Sequence, residues 1–214
     1  FGPGFDRAFR RAVVLGALTI LVAASAVAVY YSPTVSDVGY APRQPIAFSH
    51  RLHAGELQIS CVYCHGGAET GRHAGFPATS VCMNCHKSVT ASSGELAADP
   101  KAVSAELRKL YDWYGLDENR ARVAEKAQPI PWVRVHSLPD FAYFDHRAHI
   151  HAGVECKKCH GPVETMERVT QVESLSMGWC VNCHRDANRH GIPGKKAGAA
   201  RKVNASLDCA ACHF

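Results

Sequence analysis

This chain of 214 residues has no cysteine to spare. All ten fall in five copies of one pattern: Cys61-Val62-Tyr63-Cys64-His65, Cys82-Met83-Asn84-Cys85-His86, Cys156-Lys157-Lys158-Cys159-His160, Cys180-Val181-Asn182-Cys183-His184 and Cys209-Ala210-Ala211-Cys212-His213. No thiol remains for a separate disulfide framework. No basic run interleaved with aromatics occurs, and this argues against nucleic acid as a partner. The formal charge of +5 is mild and needs only ordinary solubility to explain it. No residue of 12–31 is charged, so that stretch lacks the polar face a soluble amphipathic helix needs.

C-x-x-C-H is the attachment signature of c-type haem. Its two thiols bond to the vinyl groups of the ring, and the histidine reaches the iron as proximal ligand. A pair of cysteines is also half a zinc site. Zinc has no need of the following histidine, yet every pair here has one, so the sequence reads as five covalently bound haem c. The cofactor-binding residues are then Cys61, Cys64, His65, Cys82, Cys85, His86, Cys156, Cys159, His160, Cys180, Cys183, His184, Cys209, Cys212 and His213. Five haems leave about 43 residues of chain for each. So thin a wrapping cannot build a large side-chain core. The expected fold is mainly α and irregular with little β: one N-terminal transmembrane helix and a multihaem domain whose core is porphyrin. Ten propionates would take the loaded protein to roughly −5, with several Lys and Arg pairing to them.

Residues 12–31, Ala12 to Tyr31, are long enough to cross a bilayer once. Arg7, Arg10 and Arg11 precede them, which puts the N-terminus in the cytoplasm and the haem domain on the periplasmic side of the bacterial inner membrane. Tyr30 and Tyr31 suit the outer lipid interface. Ala24-Ser25-Ala26 and Ala26-Val27-Ala28 would allow signal-peptide cleavage, but the apolar stretch exceeds a usual signal core. A retained anchor over 1–31 is the reading, followed by a proline-containing linker over 32–47.

Phe48-Ser49-His50-Arg51-Leu52-His53 and Phe144-Asp145-His146-Arg147-Ala148-His149 share the pattern F-x-H-x-x-H, each shortly before a haem motif. The agreement continues through Cys64-to-Thr70 against Cys159-to-Thr165, marking duplication of a two-haem unit, 48–86 and 144–184. The organisation follows: module one at 48–87, a connector at 88–143, module two at 144–185, and a loop with the fifth haem at 186–214. In the connector, Asp99-Pro100 reads as a helix start. Val103, Leu107, Leu110 and Tyr114 then form a packing stripe. Residues 128–136 read as extended chain, because prolines hold them out of helix.

Each iron takes a second axial ligand. Eight histidines lie outside the motifs, with Met83, Met166 and Met177 besides, so supply exceeds need and closed, six-coordinate irons are expected. Such irons move electrons and do no bond chemistry. His50, His53, His146 and His149 are the foremost distal candidates, because histidines three apart lie on one turn and can serve two irons. The fifth place is open between Met177, His136 and His73. Met177 would raise its haem's potential if it ligates, and is core packing otherwise. His73 would otherwise bond a propionate. His151 and His190 read as surface or propionate contacts, and Met83 as packing.

F-x-H-x-x-H before C-x-x-C-H resembles the small class III cytochromes of the c3 and c7 type. There the first histidine typically serves the haem of the following motif and the second another haem. The fuller set is similar to the pentahaem cytochrome c subunit of alternative complex III. That set is the anchor, Phe48 to His86 with Arg72-His73-Ala74-Gly75, Val135-His136-Ser137-Leu138-Pro139-Asp140-Phe141, and Met177-Gly178-Trp179-Cys180. The resemblance implies an electron-transfer subunit, no enzyme on its own, within a quinol oxidoreductase of respiratory or photosynthetic type. Its implied partners are membrane lipid, a polytopic quinone-binding subunit, an iron–sulfur subunit, and a mono-haem cytochrome c or soluble acceptor. The alternative is a stand-alone, membrane-anchored quinol dehydrogenase feeding a periplasmic reductase. Those have the first haem close to the anchor, usually have four haems and lack the duplicated F-x-H-x-x-H. A reductase with an open iron is a third class, and it often alters one motif, whereas all five here keep His.

Overall fold

The computed structural model describes residues 2–30, 37–193 and 200–213. Tyr31 and residues 32–36 of the expected linker lie outside them. The chain divides into two units, 1–38 and 39–214. It is mainly α and irregular, with little β.

The first unit is α1 (Pro3–Tyr30). Ala, Leu and Val dominate it, and no proline interrupts it. Its 28 residues would rise about 42 Å, more than the roughly 30 Å of a bilayer's hydrocarbon. Its apolar side chains, among them Leu15, Ile20 and Val22, are exposed along its length. Thr19 donates its hydroxyl to the Leu15 carbonyl at 2.9 Å, so this polar side chain is satisfied within the helix. The helix begins earlier than the uncharged run, so Arg7, Arg10 and Arg11 are helical, with Arg10 on Asp6 at 2.9 Å.

The second unit starts its first module with a π-helical turn at Arg51–Glu56. α2 (Cys61–Cys64), α3 (Gly67–Thr70) and α4 (Thr79–His86) follow. The connector holds α5 (Ser93–Ala98) and α6 (Ala105–Tyr114), then a 3-10 turn at Ala124–Lys126. Module two has α7 (His146–Ala152), α8 (Lys157–His160), a 3-10 turn at Val163–Thr165 and α9 (Met177–His190). β1 (Ile192–Pro193) pairs antiparallel with β2 (Ala200–Arg201), and a 3-10 turn at Cys209–Ala211 precedes the last histidine.

The side-chain core is small and sits beside module one. Ile46, Met83, Leu110, Tyr111 and Ile130 are buried together, with Val103, Leu107, Trp113 and Tyr114 against them. The expected stripe on α6 is therefore a packing face, and Met83 is a packing residue. Burying a side chain such as Leu110 contributes about 1.5–3 kcal/mol. Gly115 ends α6 with φ +81°, and a Cβ there would stand 2.7 Å from the Val123 carbonyl oxygen. Residues 128–136 carry no helix or strand, as expected, and Gln44 holds Val133 through both its amide atoms at 2.9 Å.

The two modules meet reciprocally. The 51–56 turn of module one packs on the 163–165 turn of module two, while α7 packs on α3. Under the duplication these are the same contact made twice, with the modules exchanged. Arg51 donates its backbone N–H to Met166 O at 2.9 Å, and His146 donates its own to Arg72 O at 3.2 Å. Arg72 Nε reaches Phe144 O at 3.2 Å, and Arg51 pairs with Glu167.

Two local expectations are corrected. Asp99 does not open a helix. It ends α5, donating to Glu95 O at 2.8 Å, and its carboxylate then accepts the Lys101 N–H at 2.9 Å in a tight turn, so α6 starts after Ser104. Nor does the loop begin at residue 186. α9 runs to His190, because Asn188 fastens it to Ala205 by two bonds of 2.9 and 2.7 Å, and Gly191 at φ +74° stops it.

Candidate haem-binding site

In three motifs the histidine N–H closes one helical turn on the first cysteine's carbonyl: His65 on Cys61 at 2.9 Å, His160 on Cys156 at 3.0 Å, and His213 on Cys209 at 2.9 Å. A single turn thus gathers two thiols and an imidazole on a few residues. The other two motifs lie within longer helices, α4 and α9. The ten thiols are free.

The imidazoles are held by backbone carbonyls. Nδ1 of His65 meets Gly75 O at 2.8 Å, that of His86 Val89 O at 2.8 Å, that of His184 Ser206 O at 2.6 Å, and that of His213 Phe141 O at 3.2 Å. Outside the motifs, His53 meets Ser49 O, His146 Arg72 O and His149 Asp145 O, each at 2.9 Å. A carbonyl only accepts, so Nδ1 carries the proton in all seven rings and Nε2 presents its lone pair. That is the tautomer and orientation a metal-ligating histidine requires.

The rings also come in pairs. Centroids of His53 and His86 are 6.1 Å apart, those of His146 and His160 6.3 Å, and those of His149 and His184 6.0 Å. Two imidazoles on opposite sides of one metal, with bonds of about 2.0 Å and ring radii of about 1.2 Å, have centroids roughly 6.3 Å apart. The spacing therefore fits an iron between each pair. His50 lies within electrostatic reach of His65, the counterpart of the His146 and His160 pair.

Of the thirteen histidines, the half-buried ones are the five of the motifs with His50, His53, His136, His146 and His149, while His73, His151 and His190 are exposed. His136 meets the His160 ring edge-on at 4.4 Å, too close for a metal between them, and its buried Nε2 has no partner. Met177 is the first residue of α9 and 70% exposed, and Met166 is half-buried.

Burial disfavours charge on several of these groups. It holds His50 and His160 down to about 4, with neighbouring histidines adding to the effect, and lowers His136 and His149. The same burial pushes Cys159 up to about 11 and raises Cys64, Cys82, Cys156 and Cys180. No group of three or more His, Cys, Asp or Glu able to hold a metal ion occurs among the described residues, so the donors are arranged in pairs rather than as a tetrahedral cage.

The motifs follow one another in space. Cys64 lies near Cys82 and Cys85, and Cys61 lies near Cys156. Cys159 lies near Cys180 and Cys183, and Cys180 near Cys212. The carbonyls that orient the rings, and the Arg72 and Arg51 contacts between modules, carry no signal in the sequence. Backbone acceptors have no residue type.

Residues 142–214 match the family described as cytochrome c7 and related cytochrome c. The chain is similar to the menaquinone reductase multihaem cytochrome c subunit of Nitratidesulfovibrio vulgaris strain Hildenborough. The two are 26% identical over 190 residues, which cover 79% of this chain and 76% of the relative.

Proposed function

Starting from a multihaem cytochrome c domain behind one helix long enough to span a membrane, we propose that this chain is a five-haem electron conductor in a quinone-linked membrane complex. The paired imidazole rings, 6.0–6.3 Å apart, carry the reading. Cys61 and Cys64 tether the first haem, Cys82 and Cys85 the second, Cys156 and Cys159 the third, Cys180 and Cys183 the fourth, and Cys209 and Cys212 the fifth. Bound haem supplies a one-electron iron couple. His50 with His65, His53 with His86, His146 with His160 and His149 with His184 close four irons from both sides. The fifth place, opposite His213, falls to His136, Met177 or His73, and the buried, unpartnered Nε2 of His136 makes it the candidate tested first. Residues filling both axial places exclude substrate, so the chain itself is no enzyme.

The cysteine neighbours support an order for the wire: the motif at 82–86, then 61–65, 156–160, 180–184 and 209–213. The anchor runs once through the bacterial inner membrane, with the N-terminus cytoplasmic and the haem domain periplasmic. The partners are those of an alternative complex III-like assembly: a polytopic quinone-binding subunit, an iron–sulfur subunit, and a mono-haem cytochrome c or soluble acceptor. A second reading is favoured by the relative's name, in which the same wire delivers electrons toward menaquinone.

Purification from native membranes tests this. The chain is expected to arrive with large partner subunits and five covalent haems, all low-spin. A chain that purifies alone, or one with a high-spin fraction, would favour the stand-alone dehydrogenase or the reductase. Reduction of the haems by added quinol, against oxidation by added quinone, separates the two directions.

A further inference from the structure

The four duplicated sites are not held alike. In the pairs His53/His86 and His149/His184 both Nδ1 atoms are bonded to carbonyls. In the other two pairs only one is: His65 on Gly75 and His146 on Arg72. The Nδ1 of His50 is buried with no partner. The His160 ring has no hydrogen-bond partner among the described residues; its near neighbours are the His136 and His146 rings.

The half-held pairs are also the two that meet at the module junction. Cys61 and Cys156 of their motifs are near neighbours, and the 51–56 turn and α7 make the reciprocal contacts that join the same two segments. The fully held pairs lie on either side.

We propose that His50 and His160, as axial ligands with unbonded Nδ1 atoms, make the two junction sites the higher-potential half of the duplicated four. An Nδ1–H donated to a carbonyl gives the ring partial imidazolate character and makes Nε2 a stronger donor, which favours the ferric state and lowers the potential. A ring without that bond is a weaker donor, and its iron is easier to reduce. Burial of His50 and His160 acts in the same direction, since a low-dielectric surrounding disfavours the extra charge of the ferric centre. The consequence is a pair of adjacent electron-holding sites in the middle of the wire, flanked by sites that release electrons more readily. The inference rests on the haem reading above.

The test is an EPR-monitored redox titration of the purified holoprotein, wild type and four variants. Histidine-to-methionine exchange moves one iron out of the bis-histidine envelope. His50→Met and His146→Met are expected to remove intensity that disappears first on reduction, and His53→Met and His149→Met intensity that disappears last. Loss of late-disappearing intensity in His50→Met, or equal loss from both halves in all four, overturns the proposal. A variant that fails to mature leaves a second measurement on the wild type. Proton ENDOR along the same titration should show weakly bonded Nδ1 protons on the bis-histidine centres that reduce first. Finding every such centre equally and strongly bonded overturns the proposal as well. Covalent haem content, assayed separately, shows whether the haem reading itself has failed.

Discussion

Replacing Gly55 by alanine should separate the two modules. Gly55 lies in the 51–56 turn, and a Cβ built on it would stand 2.3 Å from the Glu164 backbone carbonyl oxygen. The shortest tolerated separation is about 3.0 Å and ordinary contact starts near 3.4 Å, so the facing backbones must part by roughly 0.7–1.1 Å. No flexible side-chain end is available to give way. The same turn carries the Arg51 N–H bond to Met166 O and the His53 bond to Ser49 O. Overpacking of this kind costs about 1–3 kcal/mol. For a unit of this size that lowers the melting temperature by roughly 2–12 °C. Gly94→Ala is the control. Nothing lies within 4 Å of its Cβ inside α5, so that change should gain up to about 1 kcal/mol. Paired calorimetric scans of the loaded protein read both. A Gly55→Ala protein that melts with the wild type would refute the close approach of the modules.

Tyr111→Phe should cost about 0.5–1.5 kcal/mol, because the phenol donates to His86 O at 2.6 Å, and denaturant titration reads the loss. Glu106 is held below the usual 4.5 by Lys109 and by the Ala47 N–H at 2.7 Å. Its contribution to stability is therefore present above pH 4.5 and lost as pH falls through the lowered value, so Glu106→Gln should flatten the acid limb of a melting-versus-pH curve. If the fifth iron is closed by His136, His136→Ala should create one high-spin haem per chain in the EPR spectrum, whereas Met177→Leu should leave the spectrum unchanged. The reverse outcome would move the assignment to the thioether.

Covalent patterns and periodicities were legible from the residues alone. The five motifs, the duplication, the apolar anchor helix, the α6 stripe and the extended 128–136 segment each rest on a residue type repeated at a fixed spacing. α5 also had a signal, the capping box Ser92-x-x-Glu95, now seen with both bonds formed, but the Asp99-Pro100 pair drew the helix start to the wrong place. Asp99 shows why: a side chain that can cap a helix can equally close a turn, and neighbouring backbone decides between them. The run of α9 past His184 depends on Asn188 meeting Ala205, seventeen residues on, a contact no local pattern announces. The resemblance to class III cytochromes implied that the first histidine of each F-x-H-x-x-H pairs with the following motif, and the partner of the second stayed open. The anchoring of the rings had no signal, because it falls to carbonyls of Gly75, Val89 and Ser206 that any residue would offer.

Intact mass spectrometry of the chain purified from its own membrane tests the central claim most directly. The account predicts a polypeptide heavier by five covalently bound haems, unchanged by denaturation. An unmodified mass, or a mass raised only by zinc that chelation removes, would contradict it.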